Sequence, residues 1–76
     1  MENWQKNISI NPEIRSGKPC ISGTRITVSD VLSYLASGMS IEEIIADFPV
    51  LNKEKILATL SFATYRDSMT KIAFAS

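Results

Sequence analysis

The chain has 76 residues, with eight basic and eight acidic side chains, one cysteine and no histidine. A chain this short forms one domain that buries only about 60% of the surface its unfolded form exposes, and its single cysteine and missing histidines exclude an intramolecular disulfide and a Cys/His zinc site as sources of extra stability. Zero net charge excludes a strongly basic nucleic-acid protein, and no apolar run approaches the roughly 18 residues of a membrane span.

The opening residues carry no apolar signal-peptide core, so a cytoplasmic protein is expected, with Cys20 as a small buried apolar residue. Dividing the chain at Ile26 and Leu51 gives side-chain charges of +2, −4 and +2. The charge is therefore patterned, and any DNA contact has to come from a local basic patch or from several copies acting together.

Residues 1–26 read as an arm of two or three very short strands. β-prone pieces such as Ile8-Ser9-Ile10 alternate with the turn formers Asn11-Pro12, Ser16-Gly17-Lys18-Pro19 and Ser22-Gly23. Such strands leave an edge unpaired, which suits pairing with another chain. Lys18 and Arg25 bracket the Gly23 turn. Their plain reading is solvent exposure, and their functional reading is contact with phosphate or with an acidic partner.

Three helices are expected over residues 27–68. Val28, Val31, Leu32, Leu35 and Ala36 recur at helical spacing behind a Thr27 cap with Asp30 at N3, and Gly38 suits the left-handed stop. Ser40 and Glu43 form a capping box for a second helix with the stripe Ile41, Ile44, Ile45 and Phe48, which ends at Pro49. Asn52 caps a third helix, expected to reach about Asp67 with the core stripe Ile56, Leu57, Leu60 and Ala63. Each start also carries a hydrophobic staple, namely Ile26 with Val31, Met39 with Ile44, and Leu51 with Ile56. The stripes have to bury one another, so the expected fold is mainly α, a three-helix helix-turn-helix unit with a short N-terminal β arm and a tail over 69–76.

The second and third helices have the punctuation of a helix-turn-helix, whose second helix enters the major groove. Asn52, Lys53, Lys55, Thr59 and Arg66 flank the expected core stripe and are the candidate DNA contacts, against a plain reading of a solvated helix face. Phe62 and Tyr65 fall opposite Ile56 and Leu60, where a monomer would expose them, so they are candidate partner contacts unless the Met69–Phe74 segment, with Ile72, folds over them. Enzymatic chemistry is not expected. Glu43 is committed to its capping box and Glu42 points away from Asp47, so the acidic residues form no metal site. Gly17-Lys18 lacks the first glycine and the hydroxyl residue of a phosphate loop, and no nucleophile has a base.

The run Gly17-Lys18-Pro19-Cys20-Ile21-Ser22-Gly23-Thr24-Arg25-Ile26, followed by Val28-Ser29-Asp30-Val31-Leu32 and by Gly38-Met39-Ser40-Ile41-Glu42-Glu43-Ile44, resembles the domain-of-unknown-function 433 family from Ile8 to about Ala63. The resemblance implies a homeodomain-like helix-turn-helix and a VapB-like prokaryotic antitoxin, encoded beside a PIN-like toxin with presumed ribonuclease activity. On that reading the partners are the toxin, operator DNA and a second copy of the chain, with no cofactor, small-molecule substrate or membrane. The alternative is a protein-interaction adaptor without a DNA role, which the neutral net charge favours.

Overall fold

The computed structural model describes residues 4–75, with side chains described over 4–68. A 3-10 turn, Trp4–Lys6, leads into β1 (Ile8–Ser9), which after a second such turn, Arg15–Gly17, pairs antiparallel with β2 (Cys20–Ile21) in the register Ile8 to Ile21 and Ser9 to Cys20. The chain then turns through Gly23, whose φ of 81° only glycine adopts at no steric cost, and a bridge between Cys20 and Thr27 returns it to β2. The expected β arm is thus a two-stranded sheet of minimal length. Its apolar alternation holds for one residue only, because Ile8 is buried and Ile10 is exposed.

The three helices are α1 (Val28–Ala36), α2 (Ile41–Asp47) and α3 (Lys53–Ala75). Their start signals form as expected, because capping chemistry needs only residues three apart. Thr27 and Ser40 each accept from the N3 amide while the Asp30 and Glu43 carboxylates accept from the cap amides. Asn52 Oδ1 accepts from the Lys55 amide at 2.8 Å. α1 ends in a Schellman motif, with the Gly38 and Met39 amides donating to the Leu35 and Tyr34 carbonyls at 3.0 and 3.1 Å and Gly38 at φ 102°. α2 stops at Asp47, leaving Phe48 before Pro49 outside the helix, stacked on Tyr34 with ring centroids 5.1 Å apart.

Ile8, Ile21, Val28, Val31, Ile44, Leu51, Ile56 and Phe62 form one core joining the arm to all three helices. The expected core stripe of α3 is corrected here. Ile56 is fully buried, but Leu57 and Leu60 are 37% and 39% exposed, and Ala58, Thr59 and Phe62 take the inner face. The aliphatic residues of α3 support either of two stripes, and the arm selects between them. Trp4 lies edge-on to Phe62 at 4.7 Å between centroids and tilted over Tyr65 at 5.2 Å, which rotates the Phe62 side of the helix inward. α3 also continues past Asp67 to Ala75, so the segment expected as a tail extends the helix. The side chains of the Met69–Phe74 cover expected for Phe62 and Tyr65 lie outside the described residues; Trp4 contacts both rings.

Candidate partner and nucleic-acid surfaces

The arm is held on α1 by an interaction that sequence patterning does not disclose. Arg15, Ser16 and Gly17 follow one another at φ 50°, 59° and 82°. The left-handed region costs about 1–2 kcal/mol for each non-glycine residue. The Arg15 guanidinium offsets part of this by donating to the Arg25 carbonyl at 3.0 Å and to Asp30 Oδ2 at 3.2 Å. Arg15 thereby ties the Gly23 turn to the α1 capping box, and its carbonyl accepts from the Lys18 amide. Arg15 thus contacts the backbone of both Lys18 and Arg25. Only Arg15 has an acidic partner among the described residues, and the Lys18 and Arg25 side chains are exposed.

Partial burial pushes the Asp30 carboxyl up, but the Thr27 amide, the Thr27 side chain and the Arg15 guanidinium together outweigh it and hold Asp30 below its ordinary range. A lowered folded-state value means that the contribution of Asp30 is complete above the unfolded value near 3.8 and is lost as pH falls through the folded value. Asp30→Asn is expected to cost about 1 kcal/mol at neutral pH. In urea melts at successive pH values the gap to the parent should hold down to the unfolded value near 3.8 and close only as pH falls through the lower folded value. A gap that persisted at that acidity would remove the charge from this role.

On α3 the candidate DNA contacts separate. Thr59 is 0% exposed, with its hydroxyl donating to the Lys55 carbonyl at 3.0 Å, so its assignment as a base or phosphate contact is corrected. A threonine satisfied within its own helix packs as an apolar residue. Asn52 is exposed, but its carbonyl oxygen is engaged in the cap. Lys55 Nζ donates to the Val50 carbonyl at 3.1 Å, Lys53 is exposed, and Arg66 lies 5.6 Å from the Phe62 ring centroid. Lys53, Lys55 and Arg66 can neutralise phosphate, but with its carbonyl oxygen in the cap Asn52 no longer offers the amide pair that reads adenine in two bonds.

The aromatic candidates separate as well. Phe62 is 4% exposed and belongs to the core, so its assignment as a partner contact is corrected, whereas Tyr65 is 46% exposed at the rim of the same cluster. The sequence pattern also gives no role to Trp4, which contacts the pair, or to Glu54, which accepts from Asn7 at 3.2 Å and pairs with Lys6 at 3.9 Å, joining the arm to α3. The sole tryptophan of a chain with so little core is a signal for the first. Nothing in the local pattern marks the second, because its partners lie almost fifty residues away.

Between α1 and α3 an open groove of about 310 Å³ is lined by Val28, Leu32, Ala63, Arg66 and Asp67. Among the described residues no group of three metal-ligating side chains assembles, and no helix is long and apolar enough to cross a membrane.

Comparison with known proteins agrees with this architecture. Residues 8–63 match the family described as "Protein of unknown function (DUF433)". The uncharacterized protein y4eO of Sinorhizobium fredii is 39% identical over 49 residues, which make up 64% of this chain and 22% of that protein. The chain therefore spans about a fifth of the length of this curated relative. The crystal structure of a DUF433 member from Anabaena variabilis superposes with a TM-score of 0.79 at 26% identity, covering 95% of this chain and 71% of that one.

Proposed function

This chain belongs to the DUF433 family, and we propose that it is the antitoxin-type, non-enzymatic member of a cytoplasmic toxin–antitoxin pair, binding a PIN-like toxin by direct protein contact. The observation that carries the reading is the corner of the arm. Arg15 locks the turn by pairing with Asp30, while the neighbouring Lys18 and Arg25 side chains stay exposed. Two exposed cations on a backbone tied down through Arg15 suit a partner with spaced carboxylates, the side chains that a metal-dependent ribonuclease uses. Tyr65, half exposed beside Trp4, adds an aromatic contact of the kind enriched at interface cores. Titrating the folded chain with the product of the neighbouring gene tests the proposal. The parent should bind it, and a Lys18→Glu/Arg25→Glu variant should not.

A specific observation also favours the adaptor reading over operator recognition. Asn52 is engaged in its cap, Thr59 is buried, and Lys53, Lys55 and Arg66 are the cations of the third helix among the described side chains. Binding to duplex DNA should therefore show no sequence preference, with log K against log salt sloping at about −3 per chain. Gel shifts over a salt series measure both, and sequence-selective binding with a much steeper slope would return operator DNA to the function.

A further inference from the structure

The turn that precedes Lys18 is strained, and one side chain holds it. Arg15 and Ser16 sit at φ 50° and 59° before Gly17 at 82°, so two of these three left-handed residues carry a Cβ that opposes the conformation. Against the strain stand the two bonds of the Arg15 guanidinium, to the Arg25 carbonyl at 3.0 Å and to Asp30 Oδ2 at 3.2 Å. The two side chains of the ion pair are 38% and 32% exposed, so water screens the attraction. Strain and restraint are therefore of the same order.

One end of this restraint is fixed and the other is free to move. Asp30 Oδ2 also accepts from the Thr27 amide at 3.1 Å, as half of the capping box that starts α1. Ser16 and Lys18 are exposed, so no buried side chain of theirs resists opening. We infer that Arg15-Ser16-Gly17 is a two-state latch on the basic site of the arm, with Arg15 as its positioning residue. The role of the latch in binding rests on the proposed partner, whereas the latch itself rests on the turn alone.

In the closed state Arg15 ties the backbones of both cations together, because its carbonyl accepts from the Lys18 amide at 3.2 Å while its guanidinium holds the Arg25 carbonyl. Opening releases Lys18 from Arg25. A partner held by both cations then binds the closed state, and its apparent affinity is reduced by the fraction of chains that are closed. The affinity is thus set by two residues, Arg15 and Ser16, with Lys18 and Arg25 left intact.

Exchange of the Lys18 amide, followed by NMR, reads the closed-to-open ratio without a partner, and calorimetric titration with the product of the neighbouring gene reads its effect on binding. Ser16→Gly removes one left-handed penalty and should raise the ratio about fivefold or more. Arg15→Gln should lower it about tenfold, leaving the open state dominant and the partner bound about fivefold more weakly. Adding Ser16→Gly to Arg15→Gln should recover a large part of both losses. Glycine restores no charge, so that recovery separates positioning from simple attraction. Exchange that neither change moves, or that quickens with glycine, would overturn the latch whatever the partner does. A partner that binds the parent and all three variants alike would overturn the positioning role. Exchange that shifts as expected, with a neighbouring protein that binds none of the four chains, would uphold the latch and remove the partner reading.

Discussion

Replacing Phe62 by Ala is expected to leave much of the protein unfolded in water. The ring is 4% exposed, belongs to the core, and carries the edge-on contact from Trp4 at the start of the arm. Truncating a buried phenylalanine costs about 3–5 kcal/mol through lost burial and the cavity left behind. A chain of this length has a total stability of about 4–11 kcal/mol. Urea denaturation followed by circular dichroism should therefore show the midpoint falling by about 3 M, or no folded baseline at all. Tyr65→Ser, one helical turn away but 46% exposed, is expected to cost about 1 kcal/mol. Equal, small effects at the two positions would mean that both rings face outward and that Trp4 does not set the rotation of α3.

The Lys18→Glu/Arg25→Glu variant is expected to lose binding to an acidic partner by a factor of about a hundred or more. Truncating one member of a desolvated interfacial charge pair costs about 2–5 kcal/mol, and reversal adds repulsion. The fold should be unaffected. Both side chains are exposed, and the lock on the turn uses the Arg25 carbonyl rather than its guanidinium. Arg15 serves as the internal contrast. Arg15→Glu would set a carboxylate against Asp30 and release the turn, so it should lower stability and binding together. Calorimetric titration beside a thermal melt separates the two outcomes. Unchanged affinity in the double variant would move the partner surface away from the arm.

The parts of this structure that were legible in the sequence are those fixed by chemistry over three to five residues. The capping boxes at Thr27 and Ser40, the Asn52 cap, the glycine stop after α1 and the end of α2 before Pro49 all form where the pattern places them. The rotation of α3 was not legible, and with it went Thr59 and Phe62. The stripes led by Leu60 and by Phe62 are both helically regular, and Trp4, more than fifty residues earlier, decides between them. The same distance explains Arg15. Its left-handed turn and its bond to Asp30 are imposed by where the arm crosses α1, for which a lone arginine before Ser16-Gly17 gives no local sign. Lys18, Arg25, Lys53 and Tyr65 were read as exposed and are exposed, because nothing in the folded chain draws them inward.

The most direct test of the central claim is the mass of the complex recovered when this chain is co-expressed with the protein encoded beside it. A stoichiometric complex is predicted for the parent, with the Lys18→Glu/Arg25→Glu variant recovered folded but without the partner. A parent that purifies without its neighbour, or a double variant that retains it as the parent does, would contradict the account.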